Sequence, residues 1–166
     1  TLGKFDLVYV AGKEDVGAIA QEYCLKNMAF LPNVFDLPLD VVVPSGLLPI
    51  KILFIGTYGY PPNEDAIIYF CEEVLPLIKK QINVSFEVLL VGRGMTEKVR
   101  QLQNMEGVRI VGEVDEVAGV YKEAHFVICP VRAGSGTRVK ILEAFSYQRP
   151  VVSTTLGAEG LGVQPG

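Results

Sequence analysis

The sequence predicts an α/β fold in which a doubly wound parallel sheet is covered by helices on both faces. From residue 51 onward, short apolar runs alternate with segments whose apolar residues recur every three or four positions. A glycine or a proline follows most of these runs, as expected where a strand turns into a loop. This alternation is typical of βαβ units, whose strands lie parallel in one sheet.

The predicted strands and helices follow one another along the chain. Strands are expected at residues 51–55, 86–91, 108–111, 125–129 and 151–153. Helices are expected to start at Asn63, Thr96 and Asp115, whose side chains can cap a helix, and a further helix is expected over residues 137–147. Pro76 is expected to end or bend the first helix, because proline lacks the amide donor.

The first fifty residues differ from the rest. We predict a strand at residues 5–10, a helix at 13–24 and a strand at 28–31. The prolines that follow predict an extended connector: Pro32, Pro38, Pro44 and Pro49. The chain therefore divides into residues 1–48 and 49–166. Because it begins without a methionine and stops shortly after the last strand, we expect a piece of a longer protein.

Composition narrows the class of protein. A hydrophobic content of 49% against 20% charged residues predicts a globular domain. A net charge of −4 and a pI near 5.1 argue against non-specific binding to nucleic acid. Cys24, Cys71 and Cys129 lie in apolar stretches without metal or redox spacing, so we expect buried thiols and no metal site.

The single histidine, His125, begins a predicted buried strand, where a structural role is expected. The sequence shows no signal pattern, which favours a cytoplasmic location.

A glycine-rich loop between the fourth strand and the last helix is the strongest candidate for a binding site. Gly134, Ser135 and Gly136 follow the strand and lead into the helix. Backbone amides lack partners at a helix start, and glycines let a phosphate approach them closely. The hydroxyls of Ser135 and Thr137 add donors. The loop therefore predicts an anion-binding site.

Charged residues surround this loop. Arg132 and Lys140 can neutralise a diphosphate, and Glu143 lies on the helical face of Lys140, where a carboxylate can accept both hydroxyls of a ribose. The alternative is that the glycines only form a tight turn, while Arg138, Lys140 and Glu143 are solvated surface charges. The loop lacks the GxxxxGK[ST] spacing of a P-loop and does not follow the first strand, as a dinucleotide-binding loop does.

The segment GSGTRVKILEAFSYQRPVVSTTLGAEGL, residues 134–161, resembles the nucleotide-sugar-binding region of GT-B glycosyltransferases of the family-4-like, group 1 set. Those enzymes carry two glutamates separated by seven residues, and the second begins an EA(M/F)(A/S) stretch before GxPVV. Glu143 matches the second glutamate, while Ser135 stands at the position of the first. A branch of the family that reads GxGTRxK shares this departure.

Other segments resemble the same family. FIGTYGYPPNEDAI is similar to its first strand and loop, where Gly56 lies close to the donor phosphates. LLVGRG, with Arg93, matches the turn near the base, and VRIVGEVDEV matches the segment whose backbone near Val114 holds the base edge. FDLVYVAGKED and FLPNVFD resemble the end of the acceptor-binding domain. The resemblance implies a truncated, Rossmann-like GT-B C-terminal domain at 49–166, preceded by the tail of the N-terminal domain and a linker at 1–48.

The resemblance also implies a function. The expected reaction transfers a sugar from a nucleotide-diphosphate sugar to a saccharide, lipid or other acceptor, with retained anomeric configuration and without a metal or cofactor. The acceptor groups are expected from the N-terminal domain, so this chain alone should have little or no activity. A peripheral association of the full-length protein with a membrane is compatible with this reading. The alternatives are a non-catalytic nucleotide or phosphometabolite-binding module and a sugar-nucleotide epimerase of the same fold.

Overall fold

The computed structural model describes residues 4–13, 15–38, 44, 48–134, 136 and 138–163. A small parallel pair of strands comes first, in which β1 (Val8–Val10) lies beside β2 (Met28–Phe30), with helix α1 (Asp15–Glu22) between them in sequence. All three elements are shorter than predicted. Cys24 follows α1 and is exposed, so the expectation of a buried thiol is wrong at this position and right for Cys71 and Cys129. Residues 32–38 form no regular structure, as expected for the connector.

The main sheet contains five parallel strands in the order β5-β4-β3-β6-β7. They are β3 (Ile50–Ile55), β4 (Phe86–Val91), β5 (Val108–Gly112), β6 (Phe126–Cys129) and β7 (Val151–Ser153). The chain builds outward from β3 to β4 and β5, then returns to the other side of β3 for β6 and β7. This is the predicted doubly wound arrangement.

The helices connect these strands. Between β3 and β4 run α2 (Pro61–Tyr69), a π-helical turn (Phe70–Val74) and α3 (Leu75–Gln81); later come α4 (Glu97–Gln101) with a 3-10 turn (Leu102–Asn104), α5 (Ala118–Glu123) and α6 (Val139–Ser146).

Alternating strand residues place the core on both faces of the sheet. Ile52 and Phe54 of β3 belong to one buried cluster, which α2 covers with Ala66 and Ile67. Leu53 and Ile55 point into a second cluster, which α5 and α6 cover through residues that include Val120, Tyr121 and Ala144. A strand that is buried on both faces reads as a continuous apolar run, which explains why the strands were visible in the sequence.

Two predicted helix caps are wrong. Helix α2 starts at Pro61 with Tyr60 as its cap residue and without a side-chain cap hydrogen bond, so Asn63 lies inside the first turn. Proline at the first turn already has a helical φ and no amide to satisfy. Asp115 does not cap α5, which starts at Ala118 with Val117 as its cap residue. Thr96 does cap α4, since its hydroxyl accepts a hydrogen bond from the Val99 amide at 3.4 Å.

The helical segment between β3 and β4 does not end at Pro76. A π-helical turn ends at Val74, so Pro76 lies in the first turn of α3, where the missing amide of a proline is tolerated. In α6, Val139 and Phe145 are 45% and 44% exposed. The residues that α6 buries are Ile141, Ala144 and Ser146.

Candidate functional site

Two loops meet at the carboxyl ends of the central strands. One follows β3 from Gly56 to Tyr60, and the other follows β6 from Pro130 to Arg138. Strand order reverses between β3 and β6, and in open parallel sheets ligands bind in the crevice at this point. The sheet topology therefore places the glycine-rich loop predicted from the sequence at a position suited to binding.

Gly56, Asn63 and Lys140 converge in this crevice. The Lys140 Nζ donates a hydrogen bond to Asn63 Oδ1 at 2.8 Å, and Asn63 Nδ2 donates to the Thr57 carbonyl at 2.9 Å. A Cβ atom at Gly56 would lie 3.0 Å from Asn63 Nδ2 and 3.1 Å from Lys140 Nζ. Asn63 thus links the loop after β3 to helix α6, and the side chain of Lys140 lies directly above the end of β3.

Lys140 has few polar neighbours for its charge. Its Nζ lies 4.4 Å from the centroid of the Phe54 ring, and its side chain is half-buried. Burial lowers the pKa of Lys140 to about 8. Within the described residues, no carboxylate forms an ion pair with Lys140. A partly desolvated ammonium without a counter-ion favours the arrival of an anion.

The loop after β6 approaches neighbouring parts of the chain at two points. Val131 is buried, and its carbonyl accepts a hydrogen bond from the Thr154 hydroxyl. Gly134 has a φ of +97°, and a Cβ there would lie 3.0 Å from the Tyr60 hydroxyl, so a side chain would disturb the contact between the two loops. Gly136 is exposed, with φ +90°. Ser135 and Thr137 lie outside the described residues.

Arg138 is a buried part of this loop. Only 8% of the residue is exposed, and its Nη2 donates to the Gly134 carbonyl at 2.7 Å. The alternative that Arg138, Lys140 and Glu143 are all solvated surface charges is therefore wrong, because Arg138 is buried and Lys140 and Glu143 are half-buried. Helix α6 starts at Val139, two residues later than predicted, so the loop before it is longer than the sequence suggested.

Glu143 faces a different partner from Lys140. Its Oε2 accepts a hydrogen bond from the Tyr121 hydroxyl at 2.8 Å. Tyr121 belongs to α5 and is fully buried. The predicted ribose-binding carboxylate is thus half-buried and is oriented by a neighbouring helix.

Arg132 lies on the outer side of the loop. Its Nε and Nη2 donate to the two carboxylate oxygens of Asp65 at 3.1 and 2.6 Å, and its guanidinium lies 4.1 Å from the centroid of the Tyr69 ring. Hydrogen bonding to Asp65 raises the pKa of Arg132. Both groups are about half-exposed. The structure therefore pairs Arg132 with α2, whereas the sequence had grouped it with Lys140.

The two residues predicted near a nucleotide base lie further along the same edge of the sheet. Arg93 is exposed, and its carbonyl accepts a hydrogen bond from the Tyr58 amide at 2.9 Å. A cavity of about 400 Å³ lies beside it, with Arg100, Gln103 and Glu113 among its lining residues. Val114 is half-buried and packs against the second core cluster.

Sequence reasoning missed three side chains that shape this site: Asn63, Arg138 and Tyr121. Asn63 was assigned to helix capping, and Tyr121 was not among the candidate site residues. No local pattern reveals their partners, because Asn63 and Lys140 are 77 residues apart in sequence and Tyr121 and Glu143 are 22 apart.

Within the described ranges, no group of three or more histidine, cysteine, aspartate or glutamate side chains is arranged to hold a metal ion. In the same residues, no helix has the length and hydropathy needed to span a membrane. His125 accepts a hydrogen bond at Nδ1 from the Lys51 amide at 3.0 Å, so it has the expected structural role.

The parallel, doubly wound sheet and the cationic crevice at its switch point define an α/β domain of the nucleotide-binding kind. Residues 49–165 match the model of the family described as Glycosyl transferases group 1. The chain belongs to this family, as the resemblance of residues 134–161 implied.

One curated protein is similar in sequence over part of its length. An uncharacterized 44.6 kDa protein in the cps region of Klebsiella pneumoniae is 25% identical over 124 residues, which cover 70% of this chain and 32% of that protein. The chain therefore spans about a third of this curated relative.

Solved structures share the fold at low identity. A mutant of S. aureus TarM in complex with fondaparinux, α-GlcNAc-glycerol and UDP is 17% identical, with a TM-score of 0.70 over 92% of this chain and 30% of TarM. Anabaena HepE in complex with UDP and glucose is 15% identical, with a TM-score of 0.71 over 99% of this chain and 48% of HepE. WaaG, a glycosyltransferase involved in lipopolysaccharide biosynthesis, is 14% identical, with a TM-score of 0.65 over 89% of this chain and 44% of WaaG. The predicted GT-B type of fold is confirmed.

Proposed function

We propose that residues 49–166 are the donor-binding domain of a glycosyltransferase and bind a nucleotide-diphosphate sugar in the crevice between the loops after β3 and β6. The observation that carries this proposal is the convergence of Gly56, Asn63 and Lys140 at the switch point of a group 1 family member. Residues 1–48 are proposed to be the tail of the acceptor domain and the linker.

In this proposal Lys140 binds the diphosphate. The backbone amides of residues 134–137 add donors, and the hydroxyls of Ser135 and Thr137 assist them. The ammonium stabilises the negative charge that develops on the leaving diphosphate when the sugar departs. Arg132 has a secondary role, since Asp65 already balances its charge. No cofactor is required beyond the nucleotide sugar.

Glu143 is proposed to accept hydrogen bonds from the ribose hydroxyls. The cavity beside Arg93 and the backbone near Val114 are proposed to hold the base. These contacts fix the donor so that its anomeric carbon faces the acceptor, which converts the transfer into a reaction between positioned groups. The acceptor is proposed to be a saccharide, a lipid or another molecule, and the remainder of the full-length protein would bind it. The reaction is proposed to take place in the cytoplasm. The full-length protein would attach peripherally to a membrane where the acceptor requires it.

Calorimetric titration with UDP, GDP and ADP tests the binding site. UDP is the first probe because TarM and HepE were solved with it. Lys140→Met is expected to weaken binding about 100-fold, since a charge-assisted hydrogen bond contributes roughly 1.5–3 kcal/mol. Arg132→Met, which removes an exposed cation of the neighbouring loop, is the matched control and should change the affinity by at most about threefold. Absence of binding at millimolar nucleotide, or equal effects of the two substitutions, would contradict the site.

Transferase activity is tested separately, in the full-length protein with a labelled donor. We expect sugar transfer from the full-length protein and little or none from residues 1–166. Binding without transfer by the full-length protein would instead support a non-catalytic nucleotide-binding module.

An epimerase requires acidic and histidine groups at the sugar. His125 precedes β6 and therefore lies at the amino end of the sheet, opposite the crevice. This position favours the transferase over the epimerase.

A further inference from the structure

Tyr121 holds Glu143 from below the crevice. The Tyr121 hydroxyl donates to Glu143 Oε2 at 2.8 Å, and the residue is fully buried. Its ring stacks on Tyr147, with centroids 4.7 Å apart and an interplanar angle of 7°. Its carbonyl accepts a hydrogen bond from Arg149 Nε at 2.8 Å. Tyr121 is therefore fixed at its ring, its backbone and its hydroxyl.

The hydrogen bond can run in one direction only. Burial, followed by the charge of Glu143, raises the pKa of Tyr121 well above its usual range. The side chain remains a protonated phenol and donates a hydrogen bond to the carboxylate. In the part of the chain that the structure describes, Glu143 Oε2 accepts this bond and no hydrogen bond reaches Oε1. The carboxylate thus has one occupied oxygen and one available oxygen.

We propose that Tyr121 is a positioning residue, which fixes the Glu143 carboxylate so that its second oxygen accepts a ribose hydroxyl, and that this arrangement makes the site select ribonucleotides over analogues that lack the ribose hydroxyls. The proposal rests on the donor site described above and adds a source of specificity to it. No direct contact between Tyr121 and the donor is required.

The selectivity has a physical origin in the fixed carboxylate. A carboxylate that is held in place and partly buried loses water when the nucleotide binds, and it regains a partner only if the ribose hydroxyl is present. A site built in this way rejects an analogue without the hydroxyl more strongly than a mobile side chain does, because a mobile carboxylate can turn back towards water.

The test compares UDP with 2′,3′-dideoxy-UDP by calorimetry on the full-length protein. For the unmodified protein we expect UDP to bind at least about tenfold more tightly than the dideoxy analogue. Tyr121→Phe keeps the ring and its stacking but removes the donor, and it should reduce this ratio to about threefold or less. The matched control is Tyr147→Phe, which removes a hydroxyl from the stacked partner ring and should leave the ratio unchanged.

Both ligands are titrated into the same preparation, so a smaller folded fraction lowers both stoichiometries and leaves the affinity ratio intact. Equal weakening of the two ligands by Tyr121→Phe, or loss of all binding by this variant alone, would show a structural role and overturn the proposal. In a Glu143→Gln background, Tyr121→Phe should have no further effect on the ratio, because the two residues act through one contact.

Glu143→Gln also separates this inference from the proposed function. If that variant removes the discrimination while Tyr121→Phe retains it, Glu143 binds ribose without help from Tyr121, and only the positioning role fails. If Glu143→Gln retains the discrimination, the ribose assignment itself fails, and the inference fails with it.

Discussion

Two cations lie on opposite sides of the loop after β6, Lys140 of α6 on the inner side and Arg132 of the loop itself on the outer side, and their charges have different partners. On the inner side, Lys140 donates to the neutral amide of Asn63 and lies against the Phe54 ring. On the outer side, the guanidinium of Arg132 forms two hydrogen bonds with the carboxylate of Asp65. The inner cation is half-buried without a counter-ion among the described residues, whereas the outer cation is balanced.

This difference separates a binding group from a structural contact. Burial of an unbalanced charge destabilises a fold, so a protein retains it where a ligand supplies the opposite charge. An exposed, paired cation changes the stability of the fold little. It also binds a ligand anion weakly, because the anion must compete with the paired carboxylate. The partner of each cation, an amide or a carboxylate, is therefore the feature to change.

Among changes to the partners of the two cations, the largest effect is expected from Asn63→Asp, which makes the inner side resemble the outer side. The new carboxylate would lie within hydrogen-bond distance of Lys140 and compete with the diphosphate, so we expect UDP to bind about 30-fold more weakly in calorimetry. Asn104→Asp adds the same charge in an exposed 3-10 turn and serves as the control. An unchanged affinity in Asn63→Asp would separate Lys140 from the binding site.

A smaller effect is expected from pH. The pKa of Lys140 is lowered to about 8 by burial, so the ammonium is mostly present at pH 7 and mostly lost at pH 9. Because only the charged form attracts a diphosphate, the affinity for UDP should fall roughly tenfold as the pH rises from about 7 to about 9. Lys140→Arg remains charged over this range, so it controls for titration of the ligand. A parallel decline in that variant would assign the pH dependence to another group.

The strands could be predicted from sequence because β3, β4 and β6 are buried on both faces, which makes each one a continuous apolar run. The starts of the helices were harder to predict. Pro61 begins α2 without a side-chain cap, which leaves Asn63 available to Lys140. A cap signal and a ligand-site signal use the same residue type, so the sequence alone could not separate them.

The part of the candidate site that lies in one continuous stretch of sequence could be predicted. The loop from Gly134 and the positions of Lys140 and Glu143 follow from a contiguous motif. Their partners do not, because Asn63 is 77 residues from Lys140 and Tyr121 is 22 residues from Glu143, so only the folded sheet brings each pair together. Pairing of this kind depends on tertiary packing and leaves no periodic signal.

Stability provides a further test of the inner side. The folded state releases the Lys140 proton near pH 8, while the unfolded chain keeps it to about pH 10.5. Below pH 8 both states are protonated, and the fold carries the full cost of the buried charge; this cost declines between pH 8 and 10.5.

Lys140→Met should therefore raise the free energy of unfolding by about 1 kcal/mol at pH 7, and the gain should disappear above about pH 10.5. Urea denaturation at several pH values measures both quantities, with the exposed Lys98→Met as the control. Destabilisation by Lys140→Met at pH 7 would mean that its contacts with Asn63 and Phe54 outweigh the cost of burial.

The smallest effect is expected from Asp65→Asn, which makes the outer side resemble the inner side. Removal of the carboxylate releases Arg132 from its pair, yet the guanidinium remains exposed and against Tyr69, so the affinity for UDP should change by at most about threefold. The same titration in about 0.5 M salt should remove most of this change, because exposed charges are screened. A tenfold gain that persists in high salt would show that Arg132 turns towards the diphosphate once it is released, and Asp65 would then be a competitor of the donor rather than a structural partner.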